Sequence, residues 1–426
     1  MNLLVVGGGG REHAIIKKLK ENPTVETIYA LPGNGGIAQD AVCVPEIGAK
    51  DIEKIVDFAK SHAIGFAVVA PDDPLALGCV DRLHDAGIPC FGPGARAARI
   101  EASKVFAKNL MKQYGIPTAR YEVFDDPARA LAYLRETASF PIVIKADGLA
   151  LGKGVLIPQN LSEAEAAVKS IMEDKAFGDS GNEIVIEEFL TGPEVSVLAF
   201  TDGKAIAPMV SSMDHKRAGD GDTGLNTGGM GTIAPNPCYT PEIAAECMER
   251  IFLPTLAAMR AEGCPFKGCL YFGLMITSEG PKVIEYNCRF GDPETQVVLP
   301  LLKTDLLTVM RAVENETLGD LAVEWRGGFA ACVILASGGY PGGYEKGKAI
   351  VIPEDLPENV TVYHAGDKLE NGKLVTSGGR VLGVTAAGET LQAALDSAYA
   401  SAERIRFDGK YLRHDIGQRA LRALEG

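Results

Sequence analysis

The chain has 426 residues, 46% of them hydrophobic and 23% charged, which is enough apolar material for about three domains. Its 56 Asp and Glu residues outnumber the 42 Lys and Arg residues, so the net charge of −14 disfavours general nucleic-acid binding. The nine cysteines form no CxxC pair, and no apolar run approaches the ~20 residues of a membrane span. We therefore expect a cytoplasmic protein that binds small molecules and neither nucleic acid nor membranes.

Residues 1–102 alternate short apolar runs with helical patterns, which is typical of a parallel α/β domain. We predict strands at 3–6, 27–30, 66–70 and 90–91, each followed by a turn that lies where ligands bind parallel sheets. The glycines at 7–10 either hold a phosphate at a helix N-terminus or only pack a helix against a strand. NAD binding is disfavoured because Glu12 replaces the last glycine of the GxGxxG pattern and no acidic residue ends the second strand.

A helix predicted at 103–114 leads into a second region with an α+β pattern, which we extend to residue 326. Within it, residues of about 122–192 form a small subdomain with strands at 141–146, 155–157 and 184–188, and a capping box at Ser162–Glu165 opens a helix. Further strands are predicted at 195–201, 268–277 and 281–286. Residues 327–426 form a β-rich domain with strands at 330–336, 349–352, 361–365 and 380–385 and one helix at 390–405.

A glycine-rich segment, residues 148–154, lies between two predicted strands. It is not a Walker A loop, because a strand follows it, but a flexible hairpin of this kind can fold over a triphosphate. Lys145, on the preceding strand, can reach phosphates from beneath, and Glu187 and Glu188 end a later strand that can face an adenine. The alternatives are an exposed hairpin with solvated lysines and a solvated acidic strand end.

Glu285 and Asn287 alternate on a predicted strand and therefore point to the same face. Two oxygen donors side by side suit Mg²⁺ bound to nucleotide phosphates, and Arg289 follows where negative charge would develop. A pair of cross-strand polar side chains is the alternative. The segments 214–217 and 226–231 bracket a glycine-rich stretch, predicted as a loop that delivers polar side chains to a cleft or as a mobile surface loop.

These motifs, in this order, resemble the ATP-grasp superfamily. More narrowly, seven segments from end to end are similar to the phosphoribosylamine–glycine ligase family: 9–14 (GGREHA), 32–34 (PGN), 144–148 (IKADG), 214–217 (DHKR), 226–231 (NTGGMG), 289–296 (RFGDPETQ) and 336–342 (ASGGYPG). The resemblance implies a multidomain α/β and α+β fold: a preATP-grasp domain (1–102), a two-part ATP-grasp domain (103–326) and a β-rich C-terminal domain (327–426).

The implied reaction joins glycine to 5-phosphoribosylamine through glycyl phosphate, with ATP as co-substrate, Mg²⁺ or Mn²⁺ as cofactor and a monomer as the working form. The resemblance implies that one set of residues binds ATP: Lys104, Lys145, Gly148, Gly152, Lys153, Gly154, Glu187, Glu188, Leu190 and Glu194. It implies Glu285 and Asn287 as metal ligands and five catalytic residues: Arg289, Asp292, Lys145, Asp214 and Lys216. The implied substrate-binding residues are Gly10, Arg11, Glu12, Asn34, Asp214, Lys216, Asn226, Gly228, Arg289, Asp292 and Glu294.

Three other functions compete with this one. Another ATP-grasp enzyme, such as a carboxylase that makes carboxyphosphate, would need bicarbonate rather than glycine. An NAD-dependent dehydrogenase would bind NADH, and a non-catalytic nucleotide-binding regulator would bind ATP without turnover.

Overall fold

A computed structural model describes residues 1–137, 139–149 and 154–425. The first hundred residues form a five-stranded parallel sheet in the order β3-β2-β1-β4-β5, which confirms the predicted parallel α/β domain. Its elements are β1 (Asn2–Gly7), α1 (Gly10–Leu19), β2 (Thr27–Pro32), β3 (Val42–Cys43), α2 (Ile52–Ser61), β4 (Ile64–Val69), α3 (Asp72–Ala76), α4 (Cys79–Asp85), β5 (Cys90–Phe91) and α5 (Ala95–Ala102).

Both faces of this sheet are buried, as expected for parallel strands. Leu4 and Val6 of β1 lie in one apolar cluster, and Leu3 and Val5 lie in another on the opposite face. Both clusters also take in side chains from later parts of the chain, so the parallel sheet packs against the regions that follow it.

The next region begins with α6 and forms a small antiparallel sheet in the order β6-β9-β7-β8. Its elements are α6 (Lys104–Gln113), β6 (Tyr121–Phe124), α7 (Pro127–Thr137), β7 (Ile142–Ala146), β8 (Val155–Leu156), α8 (Leu161–Val168) and β9 (Ile184–Glu188). The predicted capping box at Ser162 is wrong. Asn160 is the N-cap of α8, because its side chain accepts the backbone N–H of Glu163.

A second antiparallel sheet, in the order β11-β10-β16-β17, forms the body behind the small subdomain. This stretch contains β10 (Glu194–Asp202), β11 (Ile206–Pro208), β12 (Met213–Asp214), β13 (Arg217–Gly219), β14 (Thr223–Asn226), β15 (Gly231–Ala234), α9 (Pro241–Cys247), α10 (Leu253–Ala261), β16 (Lys267–Thr277), β17 (Gly280–Asn287), α11 (Thr295–Leu301) and α12 (Leu306–Glu314). The segment predicted as a loop between residues 217 and 226 is a short hairpin of β13 and β14.

The last region is β-rich, as predicted, and contains β18 (Phe329–Ser337), β19 (Val360–His364), β20 (Asp367–Glu370), β21 (Lys373–Thr376), β22 (Arg380–Gly388), α13 (Leu391–Arg404), β23 (Lys410–Tyr411) and α14 (Gln418–Glu425). Its main sheet runs β12-β15-β18-β22-β19, so two strands from the preceding region complete it. The predicted strand at 349–352 is wrong, since Ala349 and Val351 form isolated bridges there. Within the described residues, no helix combines the length and the apolar surface that crossing a membrane requires.

Candidate active site

Lysines from three parts of the chain lie around the end of β17. Lys145 on β7 is 4% exposed, and its Nζ donates to the carbonyl of Ile284 at 3.1 Å. Lys216 Nζ lies 3.4 Å from Glu285 Oε1. Lys104, at the start of α6, donates to the carbonyl of Gly148 at 2.7 Å, and burial lowers its pKa. The cluster provides the positive charge that a polyphosphate needs in an otherwise acidic protein.

The glycine-rich hairpin begins and ends within the described residues. Gly148 has a φ of +93°, and a Cβ there would lie 2.6 Å from Ser180 Oγ, so the position requires glycine. The carbonyl of Gly154 accepts the N–H of Ala146 at 2.9 Å, which closes the hairpin between β7 and β8. Gly152 and Lys153, both predicted to bind ATP, lie outside the described residues.

The acidic end of β9 has one buried and one half-buried glutamate. Glu187 is 3% exposed, and its Oε1 lies 3.0 Å from Lys145 Nζ. Glu188 accepts the Nε of Arg120 at 2.8 Å. These carboxylates are engaged with cations, so the groups on this strand end that can face a nucleotide base are those of the backbone. Leu190 lies in the segment that follows the strand.

Glu194, at the start of β10, is a further acidic residue beside Lys216. Its Oε2 lies 3.8 Å from Lys216 Nζ, and half of its side chain is exposed. An exposed carboxylate in this position can accept hydroxyl groups from a ligand such as ribose.

Glu285 and Asn287 have their side chains on one face of β17, as predicted. Tyr286 between them points to the opposite face, where its hydroxyl lies 2.9 Å from Thr255 Oγ1 in the core. The charge of Lys216 lowers the pKa of Glu285 to about 2, so this carboxylate is ionised at neutral pH. Asn287 donates its Nδ2 to Glu101 Oε1 at 3.0 Å, which leaves the amide oxygen to face a cation.

The donor set fits a divalent cation that completes its shell with phosphate oxygens and water. An ionised carboxylate and an amide oxygen are hard ligands of the kind Mg²⁺ takes beside a nucleotide. Within the described ranges, no group of three His, Cys, Asp or Glu side chains could hold a metal by itself. A cation here would therefore depend on the nucleotide for its remaining ligands.

Glu101, in the last turn of α5, organises this strand end and was not found from the sequence. Its carboxylate accepts Asn287 Nδ2 at 3.0 Å, the N–H of Cys288 at 2.7 Å and Arg289 Nη2 at 2.9 Å. Glu101 is 7% exposed, so it holds the metal-ligand candidate and the arginine in fixed positions. No local pattern could have revealed it, because its partners lie 186 to 188 residues later in the chain.

The loop after β17 brings Arg289 and Asp292 towards the N-terminal domain. Arg11 Nη1 donates to the carbonyl of Phe290 at 3.1 Å, and the backbone N–H of Arg11 is 3.5 Å from Asp292 Oδ2. Burial would raise the pKa of Asp292, but the charges of Arg380 and Arg11 outweigh burial and the pKa is lowered. Asp292 is therefore an ionised carboxylate at the junction of two domains.

Arg380, from the C-terminal region, is a second site residue that the sequence did not reveal. Its Nη1 donates to the carbonyls of Gly228 and Asp292, each at 2.7 Å. The backbone N–H of Gly228 donates in turn to the hydroxyl of Tyr340 at 3.1 Å. The C-terminal sheet thus fixes two predicted substrate-binding segments relative to each other.

The segment around Asp214 lies between these loops. Burial, together with the nearby charge of Glu294, raises the pKa of Asp214 well above its usual range. Glu294 itself is 4% exposed. Asn226 pairs with Arg217 in the β13–β14 hairpin, which follows Asp214 in the chain.

The N-terminal candidates surround the start of α1, where Gly10 is the first helical residue. Glu12 accepts the N–H of Gly9 at 2.6 Å and Arg11 Nε at 2.7 Å. Asn34 donates its Nδ2 to the carbonyls of Gly8, at 3.0 Å, and His364, at 2.9 Å. The side chains of Glu12 and Asn34 therefore shape the loops, and direct substrate binding by them remains a prediction.

One continuous series of contacts links most of these residues. It runs from Lys145 through β17 to Lys216 and Glu285, and from Asn287 through Glu101 to Arg289. The series continues through the Phe290 carbonyl to Arg11 at the start of α1. The structure thus links most of the predicted nucleotide, metal and substrate residues in one network of contacts that joins three regions of the chain.

Comparisons with known proteins agree with this arrangement. Three protein-family models of phosphoribosylglycinamide synthetase match successive parts of the chain: the N domain at residues 1–101, the ATP-grasp (A) domain at 102–295 and the C domain at 330–419. A phosphoribosylamine–glycine ligase from Caldanaerobacter subterraneus subsp. tengcongensis is 49% identical over 98% of this chain and 99% of its own length.

Two further relatives differ in length. The bifunctional purine biosynthetic protein PUR2,5 of Pichia angusta is 49% identical over 99% of this chain, which spans 54% of that longer protein. The crystal structure of phosphoribosylamine–glycine ligase from Thermotoga maritima superimposes with a TM-score of 0.86 at 37% identity, covering 98% of this chain and 100% of that one. The chain therefore belongs to the phosphoribosylglycinamide synthetase family, whose members are also named phosphoribosylamine–glycine ligases.

Proposed function

We propose that this chain joins glycine to 5-phosphoribosylamine in purine biosynthesis, consuming ATP and releasing ADP and phosphate by way of glycyl phosphate. The observation that carries the proposal is the end of β17, where Glu285 lies against a cluster of three lysines. Asn287 and Arg289 follow it in the chain and are both bonded to Glu101. This set positions a polyphosphate and neutralises its charge, which is most of what phosphoryl transfer requires.

Lys104 and Lys145 would pair with nucleotide phosphates, Lys216 would contact the substrates, and the backbone after β9 would face the adenine. Glu285 and Asn287 would hold Mg²⁺, with Mn²⁺ as a substitute. The metal, when bound, would neutralise charge on the transferring phosphoryl group.

Arg289 is held by Glu101 next to the metal-ligand strand, where it would stabilise negative charge on the transferring phosphoryl group and the acyl phosphate. Asp292 is ionised and lies near the start of α1, so it can bind the amino group of a substrate. The N–H groups at the start of α1 and the side chain of Arg11 would face the phosphate of phosphoribosylamine.

In the proposed reaction the carboxylate of glycine attacks the γ-phosphate of ATP, which gives glycyl phosphate and releases ADP. The amine of phosphoribosylamine then displaces phosphate from the carbonyl carbon. No side chain needs to carry the acyl group, because the substrate itself is activated.

We also propose domain boundaries at 1–102, 103–326 and 327–426, with residues of about 122–192 as a subdomain that closes over the nucleotide. The separate four-stranded sheet β6-β9-β7-β8 supports the subdomain. We expect the enzyme to work as a monomer in the cytoplasm.

The proposal is tested by measuring ADP release with glycine and freshly made phosphoribosylamine, each omitted in turn. Full turnover should need both substrates, and bicarbonate should replace neither of them. ADP release that depends on bicarbonate and not on glycine would instead indicate a carboxylase. ATP binding without any turnover would indicate a nucleotide-binding regulator.

A further inference from the structure

A buried lysine that the proposed reaction does not use lies next to the nucleotide cluster. Lys108, in the middle of α6, is 2% exposed. Its Nζ lies 3.0 Å from Glu187 Oε2 and donates to Thr118 Oγ1 at 2.7 Å. The other carboxylate oxygen of Glu187 lies 3.0 Å from Lys145 Nζ. One buried carboxylate is therefore shared by two buried ammonium groups.

The charges in this triad do not balance. Two ammonium groups face one carboxylate, and burial of an unbalanced charge is unfavourable. Burial lowers the pKa of Lys108 to about 8, although Glu187 and, more weakly, Glu188 oppose this shift. The triad can accept one further anion, and Lys145, which also contacts β17 through Ile284, is the member nearest the proposed phosphate site.

We propose that Lys108 is a positioning residue for the ATP site. It pairs with Glu187, so that Lys145 can pair with a nucleotide phosphate without leaving a buried carboxylate unpaired. With Lys108 absent, Glu187 would hold Lys145 as its one cation and compete with the phosphate. The inference rests on the proposed function, since it takes Lys145 to be a phosphate ligand.

The test compares Lys108→Met with Lys112→Met. Lys112 lies one turn further along α6 and is exposed. Both lysines lie near the same ring: the Nζ of Lys112 is 5.7 Å and the Nζ of Lys108 is 5.5 Å from the centre of the Tyr121 ring. We expect Lys108→Met to raise the Kd for MgATP, measured by calorimetry, about tenfold or more, as for coupled buried charges. The KM for glycine should stay unchanged, and Lys112→Met should behave as the wild type.

Adding Lys108→Met to the Glu187→Gln variant distinguishes a positioning role of Lys108 from a general role in folding. In Glu187→Gln no carboxylate competes for Lys145, so adding Lys108→Met should cause no further loss of MgATP affinity. An unchanged Kd in Lys108→Met, or the same loss in both backgrounds, would overturn the inference. Lys108→Arg keeps the positive charge and serves as a second variant if Lys108→Met does not fold. It should retain most of the affinity for MgATP. A folded Lys108→Arg protein that loses this affinity would also overturn the inference.

Lys145→Met distinguishes the inference from the proposed function. If this variant binds MgATP as tightly as the wild type, the assignment of Lys145 to the phosphates is wrong. If Lys145→Met weakens binding and Lys108→Met does not, the proposed ATP site stands and the role of Lys108 is refuted.

Discussion

Glu285 is the residue whose charge matters most to the proposed metal site. Lys216 lowers its pKa to about 2, so Glu285→Gln removes a full negative charge at neutral pH. We expect the Mg²⁺ concentration for half-maximal turnover to rise about tenfold or more, because ligand charge sets the affinity of such sites. The melting temperature should change little, since Glu285 is partly exposed.

Glu279→Gln is the matched control, because Glu279 lies in the turn that precedes β17 and its side chain is 75% exposed. It should leave the Mg²⁺ dependence unaltered. Wild-type activity of Glu285→Gln at limiting Mg²⁺ would show that the metal lies elsewhere.

Among the individual site residues, the sequence predicted those that alternate on one strand and missed those whose contacts join distant parts of the chain. The same-face placement of Glu285 and Asn287 follows from the period of a strand. Glu101 and Arg380 act on partners far away in the chain, so only the packed structure reveals them. Asn34 was assigned to the substrate by family resemblance alone; the structure shows its side chain bonded to backbone groups, and the substrate contact stays a prediction.

Among the elements, α6 is tied to the base of the glycine-rich hairpin by Asp147. Its Oδ1 accepts the N–H of Val105 at 3.0 Å, and its Oδ2 accepts Ser103 Oγ at 3.2 Å. Asp147→Ala should lower the free energy of unfolding by about 1 kcal/mol, as for a lost helix cap. It should also raise the KM for ATP, because Lys104 and Gly148 meet at this junction.

Asp126→Ala provides the comparison, since Asp126 accepts the N–H groups of Ala128 and Arg129 at the start of α7. It should cost a similar free energy of unfolding in denaturant titrations and leave the KM for ATP unchanged. If Asp147→Ala and Asp126→Ala changed the KM for ATP equally, the contact of α6 with the hairpin would have no special role in ATP binding.

Elements with strong local patterns were predicted well, and those that depend on partners were not. The strand predicted at 184–188 matches β9, because an apolar run ends there at two glutamates. The hairpin of β13 and β14 was predicted as a loop, since its Gly- and Asp-rich sequence has low strand propensity and pairing alone makes it a strand. For α8 the cap was predicted at Ser162, whereas the structure has Asn160 as the N-cap.

For the whole molecule, two buried histidines predict how stability depends on pH. Burial lowers the pKa of both His13 and His215 to about 4, against about 6.5 in an unfolded chain. As pH falls from about 6.5 to about 4, the unfolded state binds protons that the folded state does not, so stability is lost over that window. Each histidine can contribute up to about 3 kcal/mol to this loss.

The measurement is the free energy of unfolding at several pH values. The variant that combines His13→Gln with His215→Gln should show a shallower dependence on pH between about 4 and 6.5, whereas His62→Gln, at an exposed position, should follow the wild type. An unchanged slope in the double variant would contradict neutral burial of these two histidines.

Chain-wide pairing was the part of the fold least accessible from the sequence. The order of regions was predicted from the alternation of strands and helices, but β15 pairs with β18 across about a hundred residues, and β12 joins the same sheet through β15. No local signal records the pairing of β15 with β18, because β15 is short and its partner strand lies far away in the chain. The contacts of Arg380 depend on this pairing, since it places Asp214 and Gly228 beside that side chain.

The most direct test of the proposed reaction follows an oxygen atom from glycine to inorganic phosphate. The carboxylate oxygen that attacks the γ-phosphate becomes the bridge of glycyl phosphate, and amine attack at the carbonyl carbon expels it with phosphate. Glycine labelled with heavy oxygen in its carboxylate should therefore give inorganic phosphate that carries one labelled atom, together with ADP. Unlabelled phosphate, or AMP with pyrophosphate, would contradict activation of glycine as an acyl phosphate.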